Sequence, residues 1–239
     1  VMLAAMDFRS NRISLISLSR DTMCEFQRLN PDGTERDRAY GQLALAFSYG
    51  EGKEKSCEIT KDAVSRIMSE LPIRSCSALY LYGLRALNDA VGGVRVTILE
   101  DLDYKDPAMQ KGAEVTLDGR MAERYIRARE RTPQGNLNRM ERQKQYVKAL
   151  MKKAMEQIRK NPESILDIYN SIKNEVVTDL TTGEMLYLAT AAANMTIAPE
   201  IRTVPGEVRM SADNYVQYDI DEAGLLELLL SVYYIECEE

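Results

Sequence analysis

Arginine is concentrated in one short segment of this chain. Residues 125–143 contain five arginines within nineteen residues, among them Arg127, Arg129, Arg139 and Arg142. A guanidinium group binds phosphate oxygens in pairs and keeps its charge at physiological pH. Several such groups in one place predict a site for a strongly charged anion, such as a diphosphate.

The charge of the remaining chain indicates that this anion site is local. Residues 120–160 hold 13 Lys and Arg against 4 Asp and Glu, a net charge of +9, whereas the rest of the chain carries −15. A protein that binds duplex nucleic acid needs a broad positive face, so this distribution argues against nucleic acid as a partner. The chain contains no histidine, which excludes imidazole as a general base or a metal ligand.

Helical spacing brings three polar donors of this segment together. If residues 136–160 form a helix, Arg139, Arg142 and Gln143 stand at positions i, i+3 and i+4 and share one face. A helix that begins at Asn136 would place them near its N-terminus, where the helix dipole also favours an anion. The spacing therefore supports an anion site at the start of this helix.

A solvated basic surface is the alternative interpretation. Ion pairs between neighbouring turns, such as Glu123 with Arg127, stabilise many exposed helices. The acidic residues near the segment are too few to neutralise it, so the pattern leaves both interpretations open. The geometry of Arg127 and Arg129 also stays open, because they point to one side in an extended chain and diverge by about 200° in a helix.

A second group of candidates follows a predicted buried strand. "SLSRDT", residues 17–22, places Arg20 and Asp21 just beyond the carboxyl end of that strand, where open α/β sheets bind ligands. Arg20 is suited to bind an anion, and Asp21 to orient it, to hold a metal or to act as a base. A salt bridge at the end of a strand is the alternative.

Apolar runs and turn signals predict an α/β layered domain. Two runs, residues 1–6 and 13–19, read as a strand hairpin. Residues 25–40 are polar, with a loop predicted at "NPDGTERD". "SALYLYG" and "VRVTILE" are predicted strands on either side of the helix "LRALNDAVGG". Further helices are expected at 57–70, from Asp118 onward, and at 136–160, 163–173, 182–195 and 222–235.

Cysteine usage and apolar runs limit the remaining possibilities. The four cysteines lack CxxC spacing, so a zinc site is not expected. Cys57 and Cys76 either pair in an oxidising compartment or stay as buried thiols. No stretch reaches the roughly 18 apolar residues that a membrane helix needs. Because "VMLAAM" reads like the interior of a strand, we expect further sequence upstream of Val1.

Five motifs in order resemble the LytR–CpsA–Psr family of cell-wall glycopolymer ligases, and they span essentially the whole chain. The family pattern S-x-x-R-D-T matches Ser17–Thr22, and a lysine-led helical element matches "QLALAFSYG", with Gln42 in place of the lysine. The remaining three matches are "LNDAVGGV" (87–94), "LDGRMAERYIRAR" (117–129) and "NLNRMERQ" (136–143), the last with Asn136 in place of an acidic residue.

The resemblance implies a fold and an activity. The expected fold is a three-layer α/β/α sandwich with a central mixed sheet, in which residues 1–239 form one catalytic domain. The N-terminal part of that domain and a membrane anchor are expected upstream of Val1, with the domain outside the cytoplasm, facing the cell wall. Such proteins transfer a phosphoglycan, for example teichoic acid or capsular polymer, from a polyprenyl-pyrophosphate carrier to a peptidoglycan hydroxyl.

The resemblance also assigns residues. The catalytic residues would be Asp21, Arg20, Arg127 and Arg129. The pyrophosphate would be bound by Arg20, Arg127, Arg129, Asn136, Arg139, Arg142 and Gln143, and an apolar tunnel would hold the polyprenyl tail. Magnesium is the implied cofactor. Its ligands are expected upstream of Val1, so no metal ligand is assigned in this chain.

The departure at Asn136 keeps other functions open. An amide cannot act as a base or a counter-charge, although it still forms hydrogen bonds. Its presence shifts the role of base to Asp21, or indicates a non-catalytic module that binds or senses polyprenyl phosphates. A pyrophosphatase that releases the lipid-linked polymer to water would need the same site.

Overall fold

A computed structural model describes residues 1–128 and 133–234 and shows a mixed α/β fold. The strands are β1 (Met2–Asp7), β2 (Arg12–Ser17), β3 (Met23–Leu29), β4 (Glu35–Gln42), β5 (Ser77–Leu79), β6 (Val94–Thr97), β7 (Glu114–Leu117), β8 (Val176–Thr178), β9 (Thr196–Thr203), β10 (Gly206–Met210) and β11 (Val216–Ile220). The helices are α1 (Leu43–Ser48), α2 (Glu54–Ile67), α3 (Leu81–Ala90), α4 (Gly119–Arg127), α5 (Pro133–Lys160), α6 (Ser164–Ile172), α7 (Thr182–Ala193) and α8 (Glu222–Tyr233).

Strand β2 lies at the centre of a three-stranded mixed sheet of order β1-β2-β9. It pairs antiparallel with β1 and parallel with β9. Four two-stranded ladders surround this sheet, namely β3-β4, β5-β8, β6-β7 and β10-β11. A parallel bridge between Thr22 and Tyr218 brings the β10-β11 hairpin beside the end of β2.

Helices cover β2 on both faces, because its side chains are apolar on both. On one face, Ile16 and the following Leu18 join a first cluster built with α1, α2 and α8. On the other, Ile13 and Leu15 join a third cluster with α5 and α7. Continuous apolar character is typical of strands that are buried on both sides. The predicted layering of helices on both faces of a central mixed sheet, in a single domain, is confirmed.

A second cluster connects the helices that carry the arginine-rich segment. Its buried members include Leu84 of α3, Val96 of β6, Tyr125 of α4 and Tyr146 of α5. Helix α5 contributes to both this cluster and the third one. With 28 residues it extends over about 42 Å, so one long element positions its N-terminal polar residues relative to β2 and α4.

Several sequence predictions are confirmed and two are wrong. The β1-β2 hairpin is present, and Asp118 caps α4 by accepting a hydrogen bond from the Met121 backbone N–H at 2.8 Å. The loop predicted at "NPDGTERD" is wrong in its length, since β4 already begins at Glu35 and most of residues 25–40 pair in the β3-β4 hairpin. Strand β4 is largely exposed and has no apolar alternation that would have indicated it. "SALYLYG" is a strand only up to Leu79, and α3 begins at Leu81.

Cys57 and Cys76 are free thiols that lie close to each other, and Cys57 Sγ donates to the Val177 carbonyl oxygen at 3.6 Å. Burial, followed by the effect of neighbouring Cys57, raises the pKa of Cys76 to about 12. Both thiols are therefore protonated at neutral pH. In the described part of the chain, no helix is both long and apolar enough to cross a membrane.

Candidate functional site

The Asp21 carboxylate lies at the centre of the candidate site and contacts the side chains of Gln42, Asn136 and Arg20 among the described residues. Gln42 Nε2 donates to Asp21 Oδ1 at 3.1 Å, and Asn136 Nδ2 donates to Asp21 Oδ2 at 3.3 Å. Arg20 Nε lies 3.6 Å from Oδ1. Only 6% of Asp21 is exposed, whereas the Arg20 side chain is 51% exposed. The arrangement holds one buried carboxylate in a defined orientation beside an exposed guanidinium.

The backbone around Asp21 is fixed on both sides by neighbouring elements. The first amides of α1 donate to this segment, Ala44 N to Arg20 O at 2.9 Å and Leu43 N to Thr22 O at 2.8 Å. Tyr218 N of β11 donates to Asp21 O at 2.8 Å. Helix α1 thus satisfies two of its unpaired N-terminal donors with the segment that follows β2. This is why "RDT" occupies one rigid position at the end of the central strand.

Two buried oxygen atoms beside Asp21 have unused hydrogen-bonding capacity. Within residues 1–128 and 133–234, neither Asn136 Oδ1 nor Thr22 Oγ1 has a hydrogen-bond partner. Buried polar atoms are rarely left without one, so each such atom calls for an explanation. A ligand hydroxyl that donates to Asn136 Oδ1 would supply one.

Arg20 and Arg139 both lie near Val1, which pairs with Leu18 just beyond the end of β2. The charges of both guanidinium groups act on the Val1 nitrogen. Arg139 is itself buried, on the same helix as Asn136. The structure thus brings Arg20, Asp21 and Asn136 together, and it places Arg139 on the same helix as Asn136.

Arg142 points into the protein rather than toward this group. It is 1% exposed, and its guanidinium donates to the carbonyl oxygens of Tyr125, at 2.9 Å, and of Ala128. Its Nε lies 3.0 Å from Glu100 Oε1. The last carbonyls of a helix have no backbone amide of a following turn to donate to them, and at the end of α4 Arg142 supplies those donors. Arg142 could contact a diphosphate directly only by giving up these hydrogen bonds and its ion pair with Glu100.

Gln143 has a similar supporting position. Its Nε2 donates to the Ile126 carbonyl at 3.3 Å. The prediction that Arg139, Arg142 and Gln143 all benefit from the α5 dipole is wrong for all three, because even Arg139 lies beyond the first turn. The helix begins at Pro133, so Arg142 lies in its third turn, whereas the dipole acts mainly within the first.

Arg127 ends α4 and pairs with Glu123 across one turn, as the alternative interpretation of the sequence expected. Arg127 Nη1 lies 2.6 Å from Glu123 Oε1, and Arg85 binds the other carboxylate oxygen. The chain leaves the helix at Ala128 in an extended conformation. Arg129, the other predicted arginine of this pair, lies outside the described residues, so its geometry relative to Arg127 stays a prediction.

The described residues do not provide a ligand set for magnesium. Among residues 1–128 and 133–234, no group of three or more Cys, Asp or Glu could hold a metal ion. Asp21 supplies one carboxylate to the candidate site, and the guanidinium groups around it do not bind cations. No step is therefore assigned to a metal here, and the cofactor expected from the resemblance stays a prediction.

Sequence reasoning did not identify Gln42 as a site residue. It was noticed only as a departure from the family pattern, as was Asn136. The structure shows that these two departures meet, because their amides bind opposite oxygens of the same carboxylate. The sequence indicated this contact only through the two replacements, Gln42 and Asn136, at motif positions where the family has charged residues.

We expect Asn136→Asp to lower the free energy of unfolding by roughly 1–3 kcal/mol at neutral pH, because a donor to Asp21 becomes a second carboxylate. Repulsion would raise the pKa of the new carboxyl in the folded state. The loss should therefore be small below about pH 4 and grow as the pH rises. Adding Gln42→Lys should recover part of it.

Urea unfolding at several pH values measures both effects. The matched control is Asn170→Asp, where the amide oxygen already accepts from Lys173 at the surface, so no loss is expected. Equal stability of Asn136→Asp and the parent chain at neutral pH would contradict the contact with Asp21.

Sequence comparisons identify similar proteins. The chain is 25% identical over 190 residues to the polyisoprenyl-teichoic acid–peptidoglycan teichoic acid transferase TagU of Enterococcus faecalis, a match that covers 79% of this chain and 56% of that protein. TagU of Bacillus cereus is 25% identical over 230 residues, covering 95% and 69% of the two chains. The chain thus spans little more than half the length of the Enterococcus faecalis relative.

Structural comparison and a family model agree with these matches. The crystal structure of Bacillus subtilis TagU superimposes with a TM-score of 0.65 at 20% identity, covering 99% of this chain and 93% of that one, which shows a common fold. The model of the LytR_cpsA_psr family matches residues 1–230. Together with the ordered motifs, this match shows that the chain belongs to the LytR–CpsA–Psr family.

Proposed function

We propose that this protein transfers a phosphoglycan from a polyprenyl-diphosphate carrier to a hydroxyl of peptidoglycan. The observation that carries the proposal is the buried Asp21 carboxylate, held by two amides beside Arg20 and near Arg139. The names of the TagU relatives describe teichoic acid transfer to peptidoglycan and support the same reaction class.

The proposed reaction is an in-line phosphoryl transfer. The oxygen of the acceptor hydroxyl forms a bond to the glycan-linked phosphorus, and the bond from that phosphorus to the bridging oxygen of the diphosphate breaks. Polyprenyl monophosphate leaves with the bonding electrons. The hydroxyl proton passes to Asp21, which acts as general base. A second hydroxyl of the acceptor sugar donates to Asn136 Oδ1, which lacks a donor within the described residues, and so orients the acceptor.

The arginines stabilise charge on the diphosphate. Arg20 offers an exposed guanidinium, and the proposed diphosphate lies between it and Arg139. Fixed positive groups are most effective where negative charge develops on the leaving group. Arg127 and Arg129 are proposed to bind the same diphosphate from the end of α4. Arg142 and Gln143 hold that end of α4 in place, as their bonds to its carbonyls indicate.

The polyprenyl tail is proposed to lie along the third cluster, between β2 and α5. This cluster is rich in methionine, with Met155 and Met195 buried and Met2, Met6 and Met151 half-buried at its edge. Methionine side chains are flexible and polarizable, so they adapt to an apolar chain. Helix α5 carries both this surface and Asn136, which would connect the tail site to the diphosphate site.

Further parts of the proposal concern regions beyond these residues. We place the domain outside the cytoplasm, held to the membrane by an anchor upstream of Val1, with magnesium ligands from the same upstream segment. Teichoic acid or a capsular polymer would be the glycan. These proposals rest on the family pattern, and the 25% identity to teichoic acid transferases supports the choice of polymer class.

A carrier or sensor of polyprenyl phosphates is the second candidate function, and Asn136 is the observation that favours it. Asparagine occupies the position of the family's acidic residue and cannot accept a proton. The same site would then bind the diphosphate without transfer. Hydrolysis by water in place of the peptidoglycan hydroxyl is a variant of the first candidate.

The test combines binding and turnover on the full chain. We expect a geranylgeranyl-diphosphate-linked glycan to bind and, with a peptidoglycan fragment and magnesium, to release prenyl monophosphate and join the fragment. Arg20→Ala should weaken binding by roughly 10–100-fold, because a charge-assisted contact is lost. Arg209→Ala, which removes an exposed arginine paired with Asp219, should leave binding unchanged.

The outcomes separate the candidates. Binding without release of prenyl monophosphate selects the carrier or sensor. Release without a joined fragment selects the pyrophosphatase. Absence of binding to the parent chain, or equal binding by Arg20→Ala, overturns the proposed diphosphate site.

A further inference from the structure

An open, strongly basic cavity of about 510 Å³ lies beside α4. Arg85, Lys105, Arg120, Arg124 and Arg127 line it, together with Glu123. Of the described residues predicted to bind the diphosphate, Arg127 alone belongs to this lining. The cavity therefore extends the positively charged surface beyond Arg127, through residues to which the family motifs give no role.

The geometry of α4 creates one side of the cavity. Arg120, Arg124 and Arg127 stand at positions i, i+4 and i+7, so they follow one face of the helix at intervals of about 5.4 Å. Arg85 comes from the neighbouring α3, and Lys105 from the loop between β6 and β7. A row of cations at regular spacing suits a ligand with repeated negative charges.

Glu123 fixes two of these arginines at the edge of the cavity. Its carboxylate binds Arg127 through one oxygen and Arg85 through the other. Burial acts to raise the pKa of Glu123, but the bonds and charges of both arginines outweigh it and hold the pKa below its ordinary value. Glu123 therefore stays ionised and positions Arg85 and Arg127 without neutralising the cavity.

The cavity keeps an excess of positive charge. Arg124 pairs with Asp106, so two carboxylates face five cations, and the net charge is +3. Within residues 1–128 and 133–234, Lys105 and Arg120 form no ion pair. This excess is unusual in a chain whose total charge is −6. Unneutralised cations that line a concave surface indicate an anionic ligand.

We propose that this cavity binds the phosphodiester backbone of an anionic glycopolymer, next to the diphosphate. The inference rests on the proposed function, because Arg127 would connect the two sites. The protein would then favour polymers with backbone phosphates, such as poly(glycerol phosphate), over neutral glycans. A second diphosphate is the other source of the same chemistry, and the experiment separates the two.

The experiment measures binding of three probes to the full chain at low salt: an oligo(glycerol phosphate), geranylgeranyl diphosphate and a neutral glucan oligomer. The test variant is Lys105→Ala/Arg120→Ala. The control variant, Arg36→Ala/Lys55→Ala, removes two exposed charges elsewhere. Circular dichroism checks that both variants keep the fold.

We expect oligo(glycerol phosphate) to bind the parent chain and the control variant alike, and the test variant about tenfold more weakly. Geranylgeranyl diphosphate should bind the parent chain and both variants with affinities within about twofold, and the neutral oligomer should not bind.

Equal binding of oligo(glycerol phosphate) to parent and test variant overturns the inference, while binding of geranylgeranyl diphosphate to the parent keeps the proposed function. Weaker binding of geranylgeranyl diphosphate to the test variant assigns the cavity to diphosphate and also overturns it. Failure of geranylgeranyl diphosphate to bind the parent chain is the separate failure of the proposed function.

Discussion

Replacing Asp21 with asparagine is expected to reduce the rate of glycan transfer by roughly 10²–10⁴-fold, the usual contribution of a general base. The amide has nearly the shape of the carboxylate but accepts no proton from the hydroxyl. Binding of geranylgeranyl diphosphate should stay unchanged or tighten, because a negative charge is removed from beside Arg20. A rate measurement under single-turnover conditions, with binding measured in parallel, separates the two effects.

The controls for this prediction address stability and geometry. In Asp21→Asn, the new amide NH2 group faces the NH2 group of either Gln42 or Asn136, so one hydrogen bond is lost. We expect this loss to lower the free energy of unfolding by roughly 1–3 kcal/mol. Assays should therefore run well below the melting temperature of the variant. Asp21→Glu keeps the acid but moves it, so it should keep binding and recover only part of the activity. Transfer by Asp21→Asn within a few-fold of the parent rate would exclude Asp21 as the base.

Arg142→Ala is expected to destabilise the fold by roughly 3–5 kcal/mol, because it leaves the carbonyls of Tyr125 and Ala128 without this donor and removes the ion pair to Glu100 Oε1. For a chain of this size, such a loss lowers the melting temperature by about 10 °C. Thermal unfolding followed by circular dichroism measures it. Burial lowers the pKa of Arg142, but the guanidinium remains charged, so the effect should vary little around neutral pH.

A second variant distinguishes support from ligand binding. Arg142→Lys keeps the charge but cannot bind the Tyr125 and Ala128 carbonyls together, so it should recover only part of the stability. If Arg142→Ala unfolds at the parent temperature and instead loses affinity for geranylgeranyl diphosphate, Arg142 contacts the ligand directly, as the sequence pattern predicted.

The elements that the sequence predicted best are those with a strong local signal. Two apolar runs around a polar turn predict β1 and β2, and Asp118 marks the start of α4. Strand β4 has no such signal because its exposed face leaves it polar, and its pairing with β3 is decided by tertiary contacts. Similarly, "SALYLYG" is apolar throughout, so its change from strand to helix at Leu81 could not be read from periodicity.

The sequence predicted which residues form the candidate site better than it predicted where their side chains point. Motif order identified Arg20, Asp21 and Asn136, and the structure brings them together. Spacing placed Arg142 on the same face as Arg139, but positions i and i+3 differ by about 60° around a helix. That difference lets Arg142 turn toward α4. The contact of Gln42 with Asp21 depends on how α1 packs against the end of β2, which no local pattern specifies.

The parallel pairing of β2 with β9 has a consequence for biosynthesis. Arg12 pairs with Thr196, which the ribosome adds 184 residues later. At about 5–20 residues per second, β2 waits about 10–40 s for the partner that completes its sheet. During that time its apolar edge is available to other chains. The central strand that later orients Asp21 thus lacks one of its two neighbours until most of the chain has been made.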